Sequence, residues 1–293
     1  MDKQDQGQKR QDIRHRLRYI KSLPTLPPIA SMLNKMVEDE EMTASRLGSV
    51  IEKDQVLTSK LLKMVNSSFF GFPQRIGAVS NAIVLLGFNV IKTLIVTSSI
   101  FDVMQSSDVG LWEHSLGCAT AAGIFAKRHG LKNPEEVSTA GLIHDLGKVV
   151  IRAEFTKEYE EIQNMVKERG ISMREAELEC LGVAHPEIGG WLIKQWNLPD
   201  RLILPVIYHH NPEDATDFRD IAAIVHFSDI LIRAVGFGSG GDKWVPPLDH
   251  KAWERIKMGK GEMKEVLNEL DEKIIELKDF TLRMQQTKGG AGE

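Results

Sequence analysis

Apolar positions along this chain recur at three- and four-residue intervals, the period of a helix with one buried face. IASMLNKMV places Ile29, Met32, Leu33, Met36 and Val37 on one stripe. LPTLPP before it sets an extended entry, because proline fixes its own φ and disfavours helix in the preceding residue. Val50, Ile51, Leu57, Leu61, Leu62 and Val65 continue the pattern, and NSSFFGFPQR (66–75) interrupts it with turn formers. Residues 81–101 read as two helices hinged near Gly87. Further helical blocks are predicted over 111–129, 135–154, 157–182, 186–196, 199–210 and 218–235. VGFGSGGDKWVPPLD (235–249) is rich in Gly and Pro and reads as a loop or linker. It leads to a charged helix over 261–285, with Met263, Val266, Leu267, Leu270, Ile274, Ile275, Leu277 and Leu282 on its apolar face. No stretch alternates convincingly with the two-residue period of a strand, so the expected class is all-α.

The pattern also divides the chain. Residues 1–18 are polar and read as a flexible N-terminus, and TKGGAGE (287–293) reads as a disordered tail. Between them lie a helical subdomain (19–106), a helical core (107–235) and a linker with C-terminal helices (236–286). The 293 residues suffice for one large or two small domains with a real core.

Composition narrows the function classes. A net charge of -4 argues against nucleic-acid binding by bulk electrostatics. The stretches 47–66 and 82–101 have helix-turn-helix spacing, yet neither carries a basic face, so helix packing is the plainer reading. Cys118 and Cys180 sit in apolar helical contexts with no CxxC, which argues against a disulfide framework or a zinc knuckle. The first twenty residues are polar and unlike a secretory leader, and charges interrupt the longest apolar runs. A cytoplasmic protein with no membrane span is expected.

One stretch departs from this ordinary picture. GLIHDLGKVV (141–150) places His144 and Asp145 inside an apolar run, and ordinary cores avoid such a charge. The chain has nine histidines. His15, His129 and His250 lie in polar or terminal contexts that suit solvated side chains, and His226 reads as a packed core residue. His114, His144, His185, His209 and His210 each sit on an apolar helix or at its end, and Asp229 lies within apolar VHFSDILI. Buried carboxylates need a compensating partner, and imidazoles with carboxylates from several elements are the donor set of a transition-metal site.

The order His114, His144-Asp145 with Gly147-Lys148, His185, His209-His210 and Asp229 resembles the HD superfamily of metal-dependent phosphohydrolases. It is most similar to the HD-GYP branch, which cleaves cyclic dinucleotides at a binuclear or larger iron-type site. LPTLPPIASMLNKM, VIEKDQVLTSKLLKMVNSSFFG and VSNAIVLLGFNVIKTLIV resemble the HDOD family, the HD-related output domain of bacterial signalling proteins. The resemblance runs from about residue 19 to 235. It implies an HD-type helical core behind an N-terminal HDOD subdomain.

The resemblance also implies a set of roles. His114, His144, Asp145 and Asp229 would hold a first divalent metal, and Asp145 would bridge to a second held by His185, His209 and His210. The mixed nitrogen and oxygen donors suit iron, manganese, nickel or zinc. Lys148 and Asp145 would be the catalytic pair, with Lys148 facing a substrate phosphate.

Two departures accompany the match. No Gly-Tyr-Pro follows His210, and no arginine follows His114. Segment 211–220 instead carries Glu213, Asp214, Asp217 and Asp220, expected to repel a phosphodiester. The reading is a regulatory signalling protein with a retained two-metal site and weak or no hydrolysis. The alternative is an active metal-dependent phosphohydrolase on a nucleotide or cyclic nucleotide. The expected partner is a signalling protein or a nucleotide-type ligand.

Overall fold

The computed structural model describes residues 3–18, 42–67, 70–106 and 110–289. The stripe over 29–37 and the LPTLPP entry lie outside the described residues. Every regular element among those described is helical: α1 (Lys3–Arg18), α2 (Ala44–Ile51), α3 (Gln55–Val65), α4 (Val79–Ser106), α5 (Leu111–Arg128), α6 (Pro134–Ile143) and α7 (Leu146–Glu154). There follow α8 (Thr156–Arg169), α9 (Met173–Leu181), α10 (His185–Gln195), α11 (Asp200–Tyr208), a 3-10 turn (Pro212–Asp214), α12 (Arg219–Val235), α13 (His250–Ile256) and α14 (Lys260–Gly289). The all-α class is borne out.

Local chemistry sets the starts. Thr43 and Asp54 accept from Arg46 N and Leu57 N at 3.2 and 3.0 Å, capping α2 and α3. Ser172 and Glu175 form a capping box at α9. Gly87 interrupts α4 at φ 79, a left-handed geometry that glycine adopts without a Cβ clash, so the hinge read from the sequence is present.

Helix α5 lies at the centre. It is apolar on nearly its whole circumference, buried at Leu116, Cys118, Ala119, Ala122 and Phe125, and wrapped by α6, α12 and α14. Helices α2, α3 and the first half of α4 pack as a group through Leu47, Ile51, Leu61, Val79 and Ile83. One apolar cluster joins that group to the core through Val90, Ile91 and Leu94. Lys92, buried in this seam, donates to Asn197 O at 2.9 Å.

Several boundaries differ from expectation. Lys3–Arg18 is a helix rather than a loose end, because Ile13 and Leu17 are buried and Arg16 pairs with Glu158 at 2.6 Å. The block 135–154 divides at His144-Asp145, and 157–182 divides at Gly170, whose φ is 63. Helix α14 continues through Gly289, past the start of the predicted tail. His129 is not simply solvated, since its Nε2 lies 2.9 Å from Ile256 O. No helix among the described residues is long and apolar enough to cross a membrane.

Candidate metal centre

The break between α6 and α7 builds the centre. His144 keeps helical backbone angles as α6 ends, and Asp145 precedes α7 at φ -95 and ψ 11. That turn aims both side chains into the interior, where His144 is fully buried and Asp145 nearly so. Gly147 explains how α10 comes so close. A Cβ there would lie 1.9 Å from His185 O, so only glycine lets the start of α7 touch the start of α10. His209 and His210 follow the last turn of α11, His114 projects from α5, and Asp229 from α12.

All seven predicted ligand positions converge. Asp145 Oδ2 lies 3.5 Å from His114 Nε2 and 3.4 Å from His144 Nε2. Its Oδ1 lies 3.2 Å from His185 Nε2 and 3.9 Å from His209 Nε2. Asp229 Oδ1 lies 3.1 Å from His114 Nε2 and 3.9 Å from His144 Nε2. His210 Nε2 lies 3.2 Å from His185 Nε2. Three groups have donor atoms close enough to share an ion: His114, Cys118, His144 and Asp229; His185, His209 and His210; and His144, Asp145 and His209, which spans the other two. Asp145 stands between them with one oxygen toward each.

Backbone carbonyls fix the tautomers. His144 Nδ1 lies 2.7 Å from Gly141 O, and His209 Nδ1 lies 2.7 Å from Val206 O. A carbonyl only accepts, so each Nδ1 carries the proton and each Nε2 lone pair faces the centre. His185 Nδ1 lies 2.6 Å from Glu177 Oε2, which also accepts from His185 N at 2.8 Å. Imidazoles held by a carbonyl or carboxylate on the far nitrogen are the usual outer support of metal-bound histidine. His144 Nε2, His209 Nε2 and Asp145 Oδ1 are buried with no hydrogen-bond partner. Orphaned lone pairs aimed at one space are what a bound cation would satisfy, so the residues present fit a metal.

The electrostatics favour the neutral ring at His114, His209 and His210 but not at His144. Burial, together with the neighbouring imidazoles, pushes His209 and His210 well below the ordinary histidine range. Burial also lowers His114. For His144 burial acts downward most strongly, yet the charge and hydrogen bond of Asp145 together with the Asp229 charge outweigh it and the net shift is upward. Burial acts to raise Asp145 and Asp229, but the cationic and imidazole neighbours hold both well below the usual carboxylate range. Lys148 donates to Asp145 Oδ2 at 2.7 Å and Arg233 Nε to Asp229 Oδ1 at 2.9 Å.

Sequence reasoning missed four contributors. Glu177 is fully buried although its helix, MREAELECL, carries three glutamates and nothing marks this one out. Cys118 lies one turn beyond His114, with Sγ 3.6 Å from its Nε2, and burial keeps its thiol well above the ordinary value. Arg233 stands four residues after Asp229, a spacing that was visible in the sequence. Asp242 accepts from Arg233 at 2.9 Å and comes from the Gly-rich loop. His226 proves to be the packed residue expected, its Nδ1 2.7 Å from His209 O and its Nε2 accepting from Asp249 N at 3.1 Å.

A cleft of about 510 Å³ opens on the His185 and His210 side, bounded by the α8–α9 turn and by Trp244–Pro247. Glu213, Asp214, Asp217 and Asp220 do not line it. Glu213 pairs instead with Arg255 at 2.6 Å, and Asp220 with the same arginine at 3.6 Å. The acidic segment therefore does not form the wall of this cleft, although Asp214 lines the adjoining one with Arg174 and His210.

Comparison with known proteins gives the family and the fold. The HDOD domain profile matches residues 23–212, well over half of the chain. The chain belongs to the HDOD family. An HDOD domain protein of unknown function from Geobacter sulfurreducens is 28% identical, with 95% of this chain and 97% of that one covered at a TM-score of 0.71. A candidate signal transduction protein from Marinobacter aquaeolei shares the fold at 19% identity and a TM-score of 0.68, covering 96% and 65% of the two chains. An uncharacterized Treponema pallidum protein is 28% identical over 73% of this chain. The HDOD chain spans 43% of that curated relative's length. Asp229, Arg233, Asp242 and Trp244 lie beyond the matched HDOD residues.

Proposed function

We propose that this HDOD protein is a regulatory signalling domain whose HD centre holds two divalent transition-metal ions, with weak or no hydrolytic activity. The observation that carries the metal reading is the set of buried, unpartnered donors, His144 Nε2, His209 Nε2 and Asp145 Oδ1, around one space. His114, His144, Asp145 and Asp229 would hold one ion, and Asp145, His185, His209 and His210 the other. Such ions, when bound, supply Lewis acidity toward phosphoryl oxygens.

The surrounding cations support low turnover. Lys148 is engaged by Asp145, and Arg233 by both Asp229 and Asp242. While each holds its carboxylate, neither neutralises charge developing on a phosphoryl group, which is the larger part of such catalysis. A second reading, hydrolysis of a nucleotide-type phosphoester, draws support from the cleft that reaches His185 and His210. In it Asp145 would position the metals and Lys148 would turn to the phosphate.

One assay separates them. Iron- or manganese-loaded protein is incubated with cyclic di-GMP and simpler phosphodiesters beside Asp145→Ala. Equal background in both is expected. Robust turnover that vanishes in the variant would overturn the regulatory reading and establish the hydrolase.

A further inference from the structure

We infer that the cleft beside the metal centre is a binding site for a nucleotide, with Trp244 stacking on the base and Arg174 holding the phosphate. The inference deepens the metal-centre reading, since its ligand would lie against His185 and His210. The residues that build it are separate from the proposed metal ligands, and Trp244 lies beyond the part of the chain that matches the HDOD family.

Trp244 is the first observation. It exposes 57% of its surface at the cleft, an unusual state for the largest apolar side chain. It is nevertheless fixed. Its Nε1 donates to Gly170 O at 2.9 Å, its backbone N donates to Asp242 Oδ1 at 2.8 Å, and its carbonyl accepts from Arg233 at 2.9 Å. Val245, Pro246 and Pro247 extend the apolar wall beside it. A rigid exposed indole is a platform on which a flat ring gains stacking energy with little ordering cost.

Arg174 is the second, independent observation. It lines this cleft and also the adjoining one on the far side of His210. Its Nε is buried with no hydrogen-bond partner. The nearby carboxylate of Glu175 is occupied instead by Ser172, whose N and Oγ donate to it at 2.9 and 2.7 Å. A guanidinium is a planar fork that suits a phosphate, and this one lines the cleft with one N–H left unanswered. On the lower face Arg233 is taken up by Asp242 and Asp229, one cation between two carboxylates. An anion therefore finds its counter-charge at Arg174, and a ring attached to it reaches the indole wall. The volume, about 510 Å³, is that of an ordinary small-molecule site.

Calorimetric titration of the full chain with AMP, adenosine and ribose 5-phosphate tests this. Each is run on metal-loaded and metal-stripped protein whose metal content is measured in the same samples. AMP is expected to bind more tightly than either fragment. Trp244→Ala should weaken AMP and adenosine by about 10- to 100-fold and leave ribose 5-phosphate unchanged. Trp244→Phe, which keeps a ring, should restore most of that loss. Arg174→Gln should weaken AMP and ribose 5-phosphate by about 10-fold or more and leave adenosine unchanged. All three variants should retain the metal content of the parent. AMP binding that ignores both residues, or no binding to metal-loaded protein, overturns the inference. Absence of metal from the parent would instead count against the metal centre, and the titrations on that protein would still decide the cleft.

Discussion

Glu177→Ala removes the carboxylate that holds His185 without touching a proposed ligand. In the native chain a single oxygen, Oε2, accepts from both His185 Nδ1 at 2.6 Å and His185 N at 2.8 Å. Both contacts are buried and charge-assisted, and such bonds contribute about 1.5–3 kcal/mol each. Alanine leaves two buried donors unanswered and frees the ring to rotate. Loss of an outer support of this kind typically lowers metal affinity about 10- to 100-fold, or about 1.4–2.7 kcal/mol. The loss should fall on the ion shared by His185, His209 and His210 and spare the one at His114 and Asp229. Glu177→Gln is the informative companion. Its amide oxygen can accept both bonds without the charge, and neutral bonds are roughly half as strong, so an intermediate loss is expected. Competition against a chromophoric chelator, with circular dichroism to establish that both variants fold, gives the two affinities. Two ions bound with parental affinity in folded Glu177→Ala would refute the assignment of His185 to the second ion.

Other consequences follow from the same contacts. Gly147→Ala sets a Cβ against the His185 backbone, so it should destabilise the chain by about 1–3 kcal/mol or more and weaken the second ion, as read from a urea midpoint and the chelator assay. Arg233→Met removes the full cation paired with Asp229 in the metal-free protein, leaving it the His114 contact, and should cost about 3–5 kcal/mol, a loss that metal loading should reduce because a cation then faces the same carboxylate. Acidification should destabilise metal-free protein. His114, His209, His210 and His226 have folded-state values below 6.5, so the unfolded chain binds protons that the native one does not as pH falls through 6.5. His144 is shifted upward and opposes them, but it is one residue against four. The expected slope below pH 6.5 is up to about 1.4 kcal/mol per pH unit for each net proton, and a flat urea midpoint between pH 7 and 5 would contradict it.

The helical class and the residues that converge on the centre were legible because each rests on a local signal. Apolar spacing fixed the buried faces, and an aspartate in GLIHDLGKVV or VHFSDILI is conspicuous against its neighbours. The division at His144-Asp145 left no such mark, since the apolar period runs on through the turn and no proline punctuates it. Burial of Glu177 is a tertiary matter, decided by α10 packing its first residue there, and nothing in EAELEC distinguishes it from Glu179, which is exposed. Helix α1 was misread for a related reason. Its polar composition hides two buried residues, Ile13 and Leu17, that suffice to dock it beside α9. Trp244 fell in a loop whose Gly and Pro predict only irregular backbone, and its position emerges from bonds to Gly170, Asp242 and Arg233, distant in sequence or unremarkable beside it.

The central claim is that Asp145 joins two metal subsites. Metal content per chain, measured by mass spectrometry after loading with iron or manganese and removal of excess, tests it most directly. Two ions are expected in the parent protein, none in Asp145→Ala and one in His185→Ala, with all three folded. A parent chain that binds no transition metal, or an Asp145→Ala variant that keeps both ions, would contradict it.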